Sequence, residues 1–127
     1  MSYYQGNDLK KITGGLKARH RDKRKFELGS PPTNTVLASE EERKIVRTMG
    51  GNIKVKLAKA QYVNVFIPGE KIVKKVRILD VENTPSNPQL ARSKIIVRGA
   101  VVKTEVGLVK ITSRPGQDGV LNGILVK

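Results

Sequence analysis

The sequence predicts an all-β protein: a small six-stranded antiparallel barrel preceded by a disordered basic N-terminal extension. Three observations carry that expectation. Of 35 Val, Ile and Leu residues, 29 lie beyond position 42, so the material for a core is confined to the later part of the chain. There, 23 of 85 residues are Val or Ile, whose branched side chains suit a pleated surface, and turn signals recur between short apolar runs. Residues 1 to 26, by contrast, hold eight Lys/Arg against Asp8 and Asp22 and too little apolar surface to offset chain entropy. The chain therefore divides into a basic extension and spacer, 1–42, and a β-barrel domain, 43–127.

Taken in order, residues 1 to about 38 are expected to be disordered in isolation, with Pro31-Pro32 stiffening the downstream end. Residues 27 to 42 hold four acids and no base and read as a solvated acidic spacer. Ser39 followed by Glu42 has the spacing of a helix-capping box. Strand is preferred from Lys44 to Met49, because Gly50-Gly51-Asn52 calls for paired flanks. Ile53 to Leu57 alternates apolar and basic residues strictly, a hairpin partner with Lys54 and Lys56 on its outer face. The alternation shifts phase between Ala58 and Tyr62 before Val63, Val65 and Ile67, which predicts a bulge or bend in one long strand. Pro68-Gly69 fits the centre of a type II turn, and Lys71 to Glu82 forms the next strand, ended by Thr84-Pro85-Ser86-Asn87-Pro88. Gln89 to Ser93 is a helical turn, Ile95 to Glu105 a strand broken at Gly107 from Leu108 to Thr112, Ser113 to Gly119 a loop, and Val120 to Val126 the last strand.

Composition removes several function classes. Cysteine is absent, so disulfide frameworks, thiolate metal sites and thiol nucleophiles are excluded, and one histidine leaves no imidazole pair for a metal. No run of about 18 apolar residues exists and Met1 to Gly6 lack a signal-peptide core, so a soluble intracellular protein is expected, without membrane partner. Thr13-Gly14-Gly15 lacks the spacing of a phosphate-binding loop, which excludes an NTPase. His20 has no carboxylate orienter except Asp22, Glu40 to Glu42 show no ligand spacing, and nothing suggests that Asp80, Glu82 and Asp118 converge. No catalytic or metal site, cofactor or small-molecule substrate is expected.

What remains is charge. With 25 Lys+Arg against 11 Asp+Glu, the formal net charge is +14, which points to a polyanionic partner. The densest run contains Lys17, Arg19, His20, Arg21, Lys23, Arg24 and Lys25, with Lys10 and Lys11 upstream, and such density neutralises phosphates and releases counterions. Thr13, Gly14 and Gly15 either let the backbone approach a phosphate or base closely or serve as flexible linker; spacing leaves both open. Arg43, Lys44, Arg47, Lys54, Lys56 and Lys59 flank one hairpin and would form a basic edge continuous with the tail. Tyr62 and Phe66 are assigned to the core, leaving too few aromatics for a stacking platform. Binding is therefore expected to rest on backbone charge and shape, which suits folded RNA. A chromatin-type or regulatory nucleic-acid binder is the alternative.

The ordered motifs resemble one family in particular. Asp8-Leu9-Lys10-Lys11-Ile12-Thr13-Gly14-Gly15, Lys23-Arg24-Lys25-Phe26-Glu27-Leu28-Gly29-Ser30-Pro31-Pro32 and Arg47-Thr48-Met49-Gly50-Gly51-Asn52-Ile53-Lys54 are similar to the archaeal and eukaryotic small-subunit ribosomal protein family called "eight-e". Arg77-Ile78-Leu79-Asp80-Val81 and Pro85-Ser86-Asn87, with Leu90 and Arg92 after it, are further similarities, and Thr112-Ser113-Arg114-Pro115-Gly116-Gln117-Asp118-Gly119 resembles the ending of its archaeal form, while Met49 departs from the basic residue often found before Gly-Gly. The resemblance implies a β-barrel body with a basic extension threaded into small-subunit ribosomal RNA, neighbouring ribosomal proteins as partners, a cytoplasmic place on the ribosome and no catalysis.

Overall fold

The computed structural model describes residues 3–4, 9–18, 21–22 and 24–126, and the chain divides into two compact units, 1–32 and 33–127. In the first unit, strand β1 (Tyr3–Tyr4) pairs antiparallel with β2 (Leu28–Gly29), and a single 3-10 turn over Lys25–Glu27 leads into β2. Lys10 and Leu16 bridge across a tight turn. Local structure is thus present where the sequence predicts disorder, held by backbone bonds and by ion pairing and hydrogen bonding of Glu27, and none of residues 9–18, 21–22 and 24–32 is buried.

The second unit contains β3 (Thr35–Leu37), β4 (Glu42–Arg47), β5 (Ile53–Ala60), β6 (Tyr62–Ile67), β7 (Ile72–Asn83), helix α1 (Pro88–Arg92), β8 (Ile95–Ile96), β9 (Val101–Thr104), β10 (Leu108–Ile111), helix α2 (Pro115–Asp118) and β11 (Asn122–Leu125). Five strands close a barrel in the order β10-β11-β6-β7-β9, and four form a separate sheet in the order β4-β5-β3-β8. The barrel has five strands and not the expected six because the β4–β5 hairpin leaves it. Ala60 ends β5, Gln61 turns the chain, and Tyr62 begins β6, so the predicted phase shift passes one long strand from the outer sheet into the barrel. Nor is the barrel wholly antiparallel: β11 closes it alongside β6 in parallel register, and β3 runs parallel to β5.

The core follows the period of two. Val63, Val65, Val76, Ile78, Val102, Val109 and Ile111 point inward and are at most 6% exposed. The barrel is too narrow for a full set of inward side chains, and Gly123 fills one position with none: a Cβ there would meet Val109 and come within 2.9 Å of the Lys110 carbonyl oxygen. Burial extends into the outer sheet through Leu57 and Ile96, and the Thr35 hydroxyl fixes β3 by donating to the Leu57 carbonyl at 2.6 Å.

Other differences have local causes. The 68–71 turn is not of type II, because Lys71 (φ 53°), and not Gly69, takes the left-handed conformation. The strand expected over 95–105 splits into β8 and β9, since the chain turns between Val97 and Ala100, whose N–H donates to Val97. The 113–119 loop contains α2, opened by Pro115 at its first position and capped by the Asp118 carboxylate, which accepts from the Arg114 N–H at 2.9 Å. β4 is a strand as preferred, and the capping-box reading of Ser39 and Glu42 is not realised.

Candidate nucleic-acid interface

In the first unit, residues 9–17 form a small loop built from backbone bonds. Gly14 N–H donates to Lys11 O at 3.0 Å, Lys11 N–H to Gly15 O at 2.7 Å and Lys17 N–H to Leu9 O at 2.7 Å. This is the three-residue hairpin loop in which a turn is followed by a left-handed residue, and Gly14 supplies it with φ 85°. Gly14 is therefore required by the turn itself, and the space where its Cβ would sit is open to 4 Å. Lys10, Lys11, Thr13, Gly15 and Lys17 are all exposed around it. The loop gathers these residues within a segment that the sequence reading expected to be disordered.

Arg19, His20 and Lys23 lie outside the described residues. Arg21 forms a two-pronged ion pair with Glu27, one prong Nη1 to Oε2 at 2.8 Å and the other Nη2 to Oε1. The Arg24 N–H also donates to Glu27 Oε2 at 3.1 Å, closing the 3-10 turn. The Arg21 guanidinium, followed by the Arg24 N–H, pulls the Glu27 carboxyl down to about 2. Segment-by-segment charge counting missed this pair because it placed Glu27 with the acidic spacer. Arg24 and Lys25 are exposed.

In the second unit, the β4–β5 hairpin has the register Arg43↔Leu57, Lys44↔Lys56, Ile45↔Val55, Val46↔Lys54 and Arg47↔Ile53. Directly opposed residues share a face, so Lys44, Val46, Lys54 and Lys56 lie together, with two lysines facing each other. Opposed like charges are destabilising in a bare hairpin, and an approaching polyanion removes that cost. The other face carries Arg43, Arg47 and the exposed Ile45 and Ile53. Arg43 is also a structural tie: its Nε donates to the Gly119 carbonyl at 3.0 Å, at the end of α2, and its Nη1 to Glu41 at 3.1 Å. Lys59 pairs with Glu42 at 3.0 Å, and this pair holds the Glu42 carboxyl below its ordinary value.

The barrel's outer face holds what the sequence reading placed in the core. Tyr62 and Phe66 alternate out of phase with Val63 and Val65, so they point outward; Tyr62 is half-buried and Phe66 is 38% exposed. The signal was present, since once Val63 and Val65 are assigned inward the period of two sends both aromatics outward. The register sets Lys75 opposite Asn64 and Arg77 opposite Tyr62, and the Lys75 ammonium lies 4.7 Å from the centre of the Tyr62 ring.

The acids are engaged singly. Asp80 pairs with Lys94 at 2.9 Å and accepts from the Val81 N–H, which together hold its carboxyl low, and Asp118 caps α2. Among the described residues no group of three or more His, Cys, Asp or Glu is placed to hold a metal ion. No described helix is long and apolar enough to cross a membrane.

Comparison with known proteins resolves the question of family. The sequence model of Ribosomal protein S8e matches residues 4–126, spanning both units. The chain belongs to the Ribosomal protein S8e family. Its relatives include the protein named small ribosomal subunit protein eS8 from Staphylothermus marinus, 62% identical over 127 residues, covering 100% of this chain and 99% of the relative. The proteins of the same name from Sulfurisphaera tokodaii and Saccharolobus solfataricus are 57% and 55% identical, again over the whole of this chain and 99% and 96% of theirs. The S8e match thus includes the 9–17 loop, the hairpin and the barrel, and this family is one of archaeal-type ribosomal proteins with a place on the ribosome.

Proposed function

We propose that the protein is a structural constituent of the small ribosomal subunit that binds ribosomal RNA through a basic N-terminal arm and a basic hairpin on the barrel domain, without catalysis. The observation that carries this is the lysine face of the hairpin, where Lys44, Lys54 and Lys56 are held together by strand register although they repel. In this reading residues 1–42 act as extension and spacer and 43–127 as the body. Lys10, Lys11, Lys17, Arg19, Arg21, Lys23, Arg24 and Lys25 neutralise phosphates, with His20 among them, and the turn at Thr13, Gly14 and Gly15 brings the backbone close. Arg43, Lys44, Arg47, Lys54 and Lys56 extend the footprint, Arg43 through the guanidinium edge that Gly119 and Glu41 leave over. Neighbouring ribosomal proteins complete the surroundings.

The test is affinity of the full chain for small-subunit ribosomal RNA and for duplex DNA at matched salt. Tighter binding to the RNA at every salt concentration is expected, because folded RNA offers shape as well as charge. Equal affinity for duplex DNA throughout would favour a general nucleic-acid binder instead.

A further inference from the structure

The outer face of the barrel carries a cleft of about 380 Å³ lined by Asn64, Phe66, Val73, Thr112, Asn122 and Ile124. Its geometry follows from three strands. Phe66 on β6 stands opposite Val73 on β7 and Ile124 on β11, so the ring is flanked by aliphatic side chains while 38% of its residue surface stays open. One step along, Asn64 stands opposite Asn122, and its Nδ2 donates to Asn122 Oδ1 at 3.0 Å. That single bond leaves the Asn64 Oδ1 and the Asn122 Nδ2 of the pair without a hydrogen-bond partner among the described residues. Cations border the strip on both edges: Lys75 and Arg77 on β7, and Lys110 on β10, which pairs with Ile124.

We propose that this cleft takes an unpaired RNA base. The ring of Phe66 offers a stacking surface, and stacking on an aromatic side chain tolerates any base because every base has a π-face. The Asn64–Asn122 pair meets the base edge with one donor and one acceptor, which complements the adjacent acceptor and donor that adenine presents at N7 and N6. Lys75, Arg77 and Lys110 meet the phosphates on either side, and none of the strip residues named is acidic. An apolar protein segment would use the Phe66, Val73 and Ile124 surface but would leave the amide pair, Arg77 and Lys110 without complement. The RNA base uses all of them. The interaction differs in kind from the arm and hairpin contacts, because it reads a base and not backbone charge alone. It rests on the ribosomal RNA-binding reading and deepens it.

The experiment titrates the labelled full chain with a short oligoadenylate and with an abasic oligomer of the same length, at one salt concentration. The oligoadenylate should shift the Asn64 and Asn122 side-chain amide signals and the Phe66 ring signals; the abasic oligomer should not. Phe66→Ala should weaken oligoadenylate binding about tenfold and leave the abasic oligomer unaffected. Asn122→Ala, at an exposed position, should weaken it as well. Shifts that the abasic oligomer reproduces, or equal affinity for both oligomers, would overturn the base site. Binding of small-subunit ribosomal RNA, measured alongside, separates the two failures: if it persists while the oligomers are not distinguished, only the base site is lost, and if it is absent the wider reading falls.

Discussion

Gly123 is the residue on which barrel closure depends most directly. It faces inward on β11 between Val65 and Ile111, and a Cβ there would meet Val109 and the Lys110 carbonyl, which is backbone and cannot swing away. Gly123→Ala should therefore cost about 1–3 kcal/mol by overpacking, read as a lower denaturant midpoint with an unchanged m-value. Gly69→Ala is the control. Its Cβ would lie in open space and its φ is not in the left-handed region, so a change near zero, or a small gain from a stiffer unfolded chain, is expected. Equal loss in both variants would show that the close approach at Gly123 has no such role. The sequence placed Gly123 inside the strand expected from Val120 to Val126 but showed nothing of its role, because the requirement arises from the close approach of β10, the neighbouring strand across the α2 loop. Tyr62 and Phe66 were misplaced for the opposite reason: the alternation that orients them was legible, but aromatic character was allowed to outweigh it. Lys54 and Lys56 were legible as an outward pair because strict alternation from Ile53 to Leu57 needs no tertiary information, whereas Lys44 joins them only through the strand register.

At the scale of elements, local signals were readable and long-range pairings were not. The β4–β5 hairpin, the bend before β6, the α1 turn and the break at Gly107 follow from residues adjacent in sequence. β3 was hidden, since a three-residue strand pairing parallel to β5 and antiparallel to β8 has no short-range signature. The parallel closure of β11 on β6, 58 residues apart at Asn64 and Asn122, was hidden likewise. The hairpin shows how one element divides its residues between stability and binding. Arg43 ties it to Gly119 beyond α2, so Arg43→Ala should lower stability by about 1 kcal/mol, most of it from the part-buried bond to the carbonyl and little from the exposed Glu41 pair. Lys54→Ala removes a charge from the lysine face and should leave the denaturation midpoint within about 0.5 kcal/mol while lowering RNA affinity. Unfolding curves and salt titrations of both variants check this. A stable Arg43→Ala protein would mean that the Gly119 contact contributes nothing to holding the hairpin.

For the whole molecule, the question is whether arm and hairpin engage one RNA at the same time, and counterion release gives a way to count. The slope of log K against log salt falls by about 0.7 for each phosphate neutralised on single strands and about 0.9 on duplex DNA. Residues 1 to 26 contain eight Lys/Arg, so the arm's contribution is at most roughly 6 units on the single-strand figure, and less where Arg21 keeps its pairing with Glu27. Substituting Lys10, Lys11, Lys17 and Lys25 together by Gln should make the slope shallower by up to about 3 units, and substituting Lys44, Lys54 and Lys56 by up to about 2. The substitutions lie at exposed or half-buried polar positions outside the core cluster, so the barrel should unfold at the same denaturant midpoint. If both regions neutralise phosphates of the same RNA in one complex, the combined variant loses the sum of the two slope changes, because each released counterion is counted once. If they compete for the same phosphates or bind in alternative modes, the combined change is smaller than the sum. The measurement is RNA affinity of four full-length proteins over a series of salt concentrations. A Lys10, Lys11, Lys17 and Lys25 variant that keeps the complete slope would remove the arm from the electrostatic contact and leave the hairpin as the anchor.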